Sequence, residues 1–254
     1  MTKAPKQSSV HVGIWQSIPS PMVSRYLATM GWDWIVLDMQ HGSMSFETAY
    51  ECVQVIRKCG ARPIVRVGID RPFEVQRALD IGAAGVVVPM VNSLEMAREL
   101  ARAAKYPPQG ERSFGSDAAI LQGSDYPERA NRETLLLVQV EHADAVAVVE
   151  EMLAIDGVDG CFVGPTDLAL SMGLSRHGYA SHPDHQAAMR RIVTAAATTG
   201  TLACCNTYDL DDFQEKVQAG YGAITLMSDV DLLMGSGRKL LKELRVRAGT
   251  PSSA

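Results

Sequence analysis

Residues 135–164 read LLLVQVEHADAVAVVEEMLAIDGVDGCFVG. An apolar run closes on a lone carboxylate, Glu141, a helix-compatible stretch follows over 142–154, and a second apolar run, GCFVG, fills 160–164. Strand, helix and strand in that order predict two parallel strands joined by a crossover helix. The same rhythm extends in both directions. Toward the N-terminus, strands are expected at 11–17, 34–40, 62–67 and 85–91; toward the C-terminus, at 202–206 and 223–228. Amphipathic stretches at 45–59, 71–81, 93–104, 184–199, 209–219 and 229–247 supply further helices, several opened by Ser or Asp at a cap position. Eight such strands predict a closed (β/α)8 TIM barrel, a single domain over residues 1–254. Its length agrees with the roughly 250 residues usual for that fold. A six-stranded doubly wound sheet would alternate too, but no GxGxxG follows the first strand to cradle a pyrophosphate.

One connection breaks the rhythm. Residues 105–134 are too long and too rich in Pro, Gly and Arg for an ordinary link, and such loops are usually functional or interfacial. The small, polar tail at 248–254 is expected to fray.

Composition narrows the function classes. The 24 basic and 29 acidic side chains give a net charge of -5, and no Lys/Arg run is present to track a phosphate backbone, so nucleic acid is not an expected partner. The polar start MTKAPKQSSV and the lack of an 18-residue apolar run predict a cytoplasmic protein with no membrane association. Five cysteines, at 52, 59, 161, 204 and 205, show no CxxC spacing and read as buried reduced thiols.

In a barrel of this kind chemistry collects where strands end. Five ionisable residues stand there: Asp38 and His41 after WIVL, Arg66 inside PIVRV, Glu141 closing LLLVQVE, and Asp167 just beyond CFVGP. Glu141 and Asp167, on neighbouring strands, offer two hard oxygen ligands that suit Mg2+ or Mn2+, and no His or Cys stands beside them to favour zinc. Each also has a structural reading, since acidic residues commonly cap or open helices. Arg66 needs an anionic partner to offset its desolvation; that partner is either a substrate or a neighbour such as Asp38 or Glu141. His41 is placed to move a proton near neutral pH, or is simply a hydrogen-bonded loop residue. His182 and His185, in SHPDH, read as the cap and first turn of a helix that Pro183 opens, and His142 as the start of another.

These residues sit in segments that together resemble the HpcH/HpaI aldolases, the class II pyruvate aldolases that act on 4-hydroxy-2-oxo acids. The segments are GWDWIVLDMQHG at 31–42, PIVRV at 63–67, 79–115 from LDIGAAGVVVPMV to GERSFG, VQVEHADAV at 138–146 and VDGCFVGPTDLALSMG at 158–173. The resemblance implies that Glu141 and Asp167 bind a divalent metal (Mg2+ or Mn2+, with Co2+ also accepted). It implies that Arg66 contacts the pyruvate carbonyl oxygen, and that Gln139 with the backbone amides of Thr166 and Asp167 surrounds the substrate carboxylate. His41 resembles the acid/base histidine, Asp38 its supporting neighbour, and Asp80 the aspartate paired with that histidine. Asp80 ends the third helix, at the barrel face opposite His41, so the pair is expected between subunits. Arg112 and Ser116 in the 105–134 connection are candidates to complete a neighbour's site, and the resemblance implies a homohexamer, a trimer of dimers exchanging C-terminal helices. One departure stands out: where many members read D-x-E-H, this chain reads Asp38-Met39-Gln40-His41, which removes a negative charge beside the base.

The implied reaction is cleavage of a 4-hydroxy-2-oxo acid to pyruvate, or hydroxypyruvate, and an aldehyde. A Schiff-base route would need a lysine at the barrel mouth, and Lys58, Lys105, Lys216, Lys239 and Lys242 all fall in helices or at their ends. Acyl-CoA lyases of the citrate lyase beta and malyl-CoA type share this enolate chemistry, but they are longer and call for a basic nucleotide groove that is not visible here. A non-catalytic barrel binding a 2-oxo acid is the remaining alternative.

Overall fold

A computed structural model describes residues 9–68 and 72–249, with the side chains of residues 116, 117 and 119 also outside the description. The elements alternate along the chain. They run β1 (His11–Gln16), α1 (Pro21–Thr29), β2 (Trp34–Asp38), α2 (Phe46–Lys58), β3 (Arg62–Arg66), α3 (Pro72–Asp80), β4 (Gly85–Val88) and α4 (Leu94–Ala104). Then come α5 (Ser116–Gln122), α6 (Tyr126–Glu133), β5 (Leu135–Val140), α7 (Ala143–Ala147), α8 (Val149–Leu153), β6 (Gly160–Val163) and α9 (Pro165–Ser171). The chain ends with α10 (Pro183–Thr199), β7 (Leu202–Thr207), α11 (Leu210–Ala219), β8 (Ala223–Ser228) and α12 (Asp229–Arg247). All strands are parallel, each pairs with the next, and β8 closes on β1. The expected eight-stranded barrel is therefore the observed fold.

Two packed layers follow from the strand period of two. Alternate residues point outward and join the main core with the helices, as Ile35, Leu37, Val65, Val86, Val88, Leu136 and Val138 do. The others fill the interior: Trp34, Val36, Ile64, Val87, Leu137, Phe162 and Cys204 form one compact cluster with Trp15. Gly13 is glycine for space, because a Cβ there would sit 2.1 Å from the Trp34 ring. Since both faces are covered, β2 is buried along its whole length, as a continuous apolar run requires.

Several expectations shift. Strand β4 stops at Val88 and β2 at Asp38, because Met90 turns into the left-handed region (φ 54) and Gln40 and His41 fold back onto Asp38. The 105–134 connection is not plain loop: α5 and α6 lie in it, and Tyr126 and Ala130 of α6 pack with Tyr106 and Ala118. The single helix expected over 142–154 is divided at Val148 into α7 and α8. His142 and His182 cap α7 and α10 through Nδ1, as expected, and Pro183 opens α10. Cys59 corrects the thiol reading: it is exposed at the end of α2, while the other four are buried, and all five are unpaired. Among the described residues no helix is long and apolar enough to cross a membrane. The first residues and the end of the tail, 250–254, lie outside the described residues, as does Arg71 at the expected start of the third helix.

Candidate active site

The C-terminal ends of β1, β2, β3 and β5 to β8 surround a cavity of about 230 Å3 whose lining includes Trp15, Asp38, Arg66, Gln139, Thr166 and Asp167. Arg66 is held from two sides. Its Nε and Nη2 donate to Asp38 Oδ1 and Oδ2 at 2.9 and 2.7 Å, a fork-to-fork pair, and its guanidinium carbon lies 4.4 Å from the centre of a Trp15 ring. Trp15 in turn meets Phe162 edge-on at 5.3 Å. Of the two partners open for Arg66 in the sequence, the structure selects Asp38. The pairing uses one edge of the guanidinium, and among the described residues Nη1 has no hydrogen-bond acceptor.

Asp38 is correspondingly committed. Burial raises its pKa, but Arg66 and the backbone N–H groups of His41 and Gln40 outweigh that and hold it below the ordinary carboxylate value. It supports His41 through the main chain, accepting that residue's N–H at 3.2 Å. The His41 imidazole is exposed and does not line the cavity of its own chain.

Glu141 is the least comfortable group in the mouth. It is 3% exposed, and burial, reinforced by the nearby Asp167, pushes its pKa up to about 6 against the contrary pull of the Met90 N–H, Arg66 and Gln139. Met90 adopts its left-handed φ of 54 where its N–H reaches Glu141 Oε1 at 2.9 Å, a strained residue serving a functional group. Gln139 Nε2 donates to Oε2 at 2.5 Å, while its own Oε1 is buried without a partner. Gly164 makes the approach possible, since a Cβ there would stand 2.5 Å from Glu141 Oε2.

Asp167 lies in the first turn of α9, whose N-cap is Gly164 and whose first residue is Pro165. The N–H groups of Thr166 and Asp167 thus belong to a helix start, where no intrahelical acceptor exists. That helix is propped from behind: His185 Nε2 meets the Pro165 carbonyl at 2.9 Å, and Thr166 Oγ1 meets Tyr179 Oη at 3.0 Å. Burial lowers the His185 pKa, so it is a neutral strut.

Asp80 stands elsewhere. It ends α3 just before β4 begins, at the opposite end of the barrel, where its Oδ1 accepts Arg112 Nη2 at 2.6 Å. That is the face expected for it. Arg112, a candidate to complete a neighbour's site, is buried in its own chain, stacked on Tyr106 and bonded to Tyr126 Oη. The side chain of Ser116, at the start of α5, lies outside the described residues. Sequence reasoning passed over Trp15, Asn206, Tyr208 and Asp231, which also line the cavity. Asn206 was findable as the next inward position after Cys204 on β7; an aromatic such as Trp15 simply reads as core.

The donor set suits a divalent cation. Two carboxylates, one of them destabilised by burial and by its acidic neighbour, and an orphaned amide oxygen beside them form an all-oxygen set short of positive charge. Among the described residues no third His, Cys, Asp or Glu completes a closed cluster, so solvent or substrate would have to fill the remaining positions.

With its polar groups gathered at the C-terminal mouth, this is a barrel enzyme by layout. The family model described as HpcH/HpaI aldolase/citrate lyase matches residues 11–235, and the chain belongs to that family. It is 38% identical over 233 residues to the hydroxypyruvate/pyruvate aldolase of Roseovarius nubinhibens, covering 88% of this chain and 87% of that one. It is 34% identical over 201 residues to a 4-hydroxy-2-oxo-heptane-1,7-dioate aldolase of Escherichia coli, covering 77% and 75%. An HpcH/HpaI aldolase/citrate lyase family protein from Burkholderia cenocepacia J2315 superposes with a TM-score of 0.86 at 33% identity, covering 93% of this chain and 95% of that one.

Proposed function

We propose that this protein is a metal-dependent, class II aldolase that cleaves 4-hydroxy-2-oxo acids reversibly to pyruvate, or hydroxypyruvate, and an aldehyde. The observation that carries the reading is Asp167, Gln139 and the half-committed Arg66 around one cavity whose described lining contains no lysine, with the buried Glu141 bonded to Gln139 just behind that lining.

Glu141 and Asp167 would hold the cation, with Mg2+ or Mn2+ favoured and Co2+ accepted, and Gln139 Oε1 beside them. When bound, it supplies Lewis-acid stabilisation of negative charge on the 2-oxo acid. The chain's own groups account for the rest. The free amides of Thr166 and Asp167 receive the substrate carboxylate at the start of α9. Arg66 Nη1 donates to the C2 oxygen, and the Asp38 fork and Trp15 face keep it oriented as charge develops there. His41 takes the C4 hydroxyl proton as the C3–C4 bond breaks and the aldehyde leaves. Asp80 would orient that imidazole from a neighbouring subunit, since its own barrel separates it from its own His41.

That requirement fits a homo-oligomer, and we extend the proposal to a hexamer built as a trimer of dimers. Exposed Leu233, Leu240, Leu241 and Leu244 on α12 support an assembly in which this helix is covered. Four buried, unpaired thiols agree with a reducing, cytoplasmic setting.

The test is pyruvate release from 4-hydroxy-2-oxo acids in a lactate-dehydrogenase-coupled assay. Activity should vanish with EDTA and return with Mg2+ or Mn2+; no cleavage of several such acids with any metal would overturn the reading.

A further inference from the structure

The cavity has a second half that the donor chemistry above does not use. Beyond Thr166 and Asp167 it continues to the ends of β7 and β8, where Asn206, Tyr208, Ser228 and Asp231 line it. This half is the room the cavity offers an aldehyde leaving C4.

A hydrogen-bond relay fixes how Asn206 presents itself. Trp15 Nε1 donates to Thr225 Oγ1 at 2.9 Å, and an indole nitrogen has only a donor role. The Thr225 hydroxyl, having accepted that bond, gives its single proton to Asn206 Oδ1 at 3.0 Å. The amide oxygen is thereby turned toward the barrel interior and Nδ2 toward the cavity, where one of its two hydrogens meets Tyr208 and the other is the donor offered to a ligand. Asp231 supplies the complementary group. Its Oδ2 accepts the Ser228 N–H and hydroxyl in the capping box that starts α12, and among the described residues Oδ1 has no hydrogen-bond donor. A bulge in the β1–β8 pairing sets this wall. Gly13 pairs with Thr225 and Trp15 with Ser228, so β8 spends one extra residue there, and Met227 within it adopts a φ of 40.

Charge decides what such a wall accepts. Arg66 is the one basic side chain among the described lining residues, and Asp38 already pairs with it. Asp231, exposed at the start of α12, puts a negative charge on the far side, and no second basic side chain among the described lining residues offsets it. We infer that the acceptor half is built for an uncharged, hydroxyl-bearing aldehyde, bound by Asn206 Nδ2 and Asp231 Oδ1, and disfavours an aldehyde that ends in a carboxylate. The inference rests on the aldol reading above and names its acceptor class.

The experiment compares two substrates of the full-length protein with Mg2+: a 2-oxo-3-deoxy sugar acid with a neutral hydroxylated tail, and 4-hydroxy-2-oxoheptanedioate. The neutral substrate should win in kcat/KM by about tenfold or more. Raising ionic strength should narrow the gap, because screening weakens the repulsion between Asp231 and a terminal carboxylate. Asp231→Asn, which keeps an acceptor for Ser228, should raise kcat/KM for the dicarboxylate about tenfold, and Asn206→Ala should raise KM for the neutral substrate. A wild-type preference for the dicarboxylate, or a ratio indifferent to both salt and Asp231→Asn, would overturn the inference. Deuterium exchange into the pyruvate methyl group needs no aldehyde and separates the two readings. Exchange combined with a dicarboxylate preference sinks the acceptor assignment alone; no exchange sinks the aldol reading and this inference together.

Discussion

At the scale of single residues, Glu141 shows a binding group held in a state that its own fold disfavours. A rise in pKa from 4.5 to about 6 corresponds to roughly 2 kcal/mol of cost for keeping the buried carboxylate ionised. The sign follows from the direction: the folded chain binds this proton more tightly than the unfolded chain does. The group's contribution to stability is therefore complete below the ordinary value and lost as pH rises through about 6. A cation bound to the ionised form would offset that loss. The gain in melting temperature on adding Mg2+ is thus expected to be larger at pH 8 than at pH 5, and equal gains would contradict the assignment of Glu141 as a ligand. Gly164 offers a second test. Gly164→Ala drives a methyl group into Glu141 Oε2, so metal affinity should fall by about ten- to a hundredfold, as when a ligand's supporting contacts are removed, with circular dichroism unchanged. Unaltered affinity in a folded variant would mean that Glu141 has room to move.

At the scale of elements, a buried polar anchor ties the barrel together at the face opposite the cavity. Lys105, following α4, is 2% exposed, and its Nζ donates to the Asn131 and Thr134 carbonyls and to Asp159 Oδ2 at 2.7 Å, joining α4 to the segments that lead into β5 and β6. Lys105→Met fills the same volume but strands Asp159, whose pKa burial already raises against the pull of Lys105. A loss of about 3 kcal/mol in urea unfolding is expected, and a loss below about 1 kcal/mol would show that the pair is incidental. The element pattern also explains what was readable from sequence. Strands such as β2 and β5 are apolar on both faces, so their cores are plain in the sequence, whereas their ends depend on turns like that at Met90, which no local pattern announces. Helices α5 and α6 were hidden because their support is tertiary, Tyr126 and Ala130 packing on Tyr106, within a stretch whose local composition reads as loop. Asp38, Arg66, Glu141 and Asp167 were legible as polar residues at the mouths of apolar strands, and Gln139 only through the family resemblance. Asn206 carried only the signal of its inward position after Cys204, because an asparagine ending a strand is ordinary until the Trp15–Thr225 relay orients it.

At the scale of the whole molecule, the described chain leaves two features unexplained by its own barrel: an acid/base candidate, His41, exposed at one end, and its proposed partner Asp80 at the other. Arg112 occupies Asp80 Oδ1, yet the Asp80 side chain keeps 29% exposure, so it is held in place rather than sequestered. An assembly that sets one subunit's Asp80 face against the next subunit's His41 end would make use of both and cover the leucines of α12. The expectation is specific. His41→Ala and Asp80→Asn should each be nearly inactive alone, the asparagine retaining an acceptor for Arg112. Unfolded together and refolded at equal amounts, random mixing gives about a quarter of the sites an intact histidine from one subunit and an intact aspartate from another, and activity should return to about that fraction. Recovery to that level places the pair across an interface; no recovery, with oligomers of unchanged size, would overturn the pairing across an interface, and an active Asp80→Asn variant would mean that Asp80 serves only to anchor Arg112.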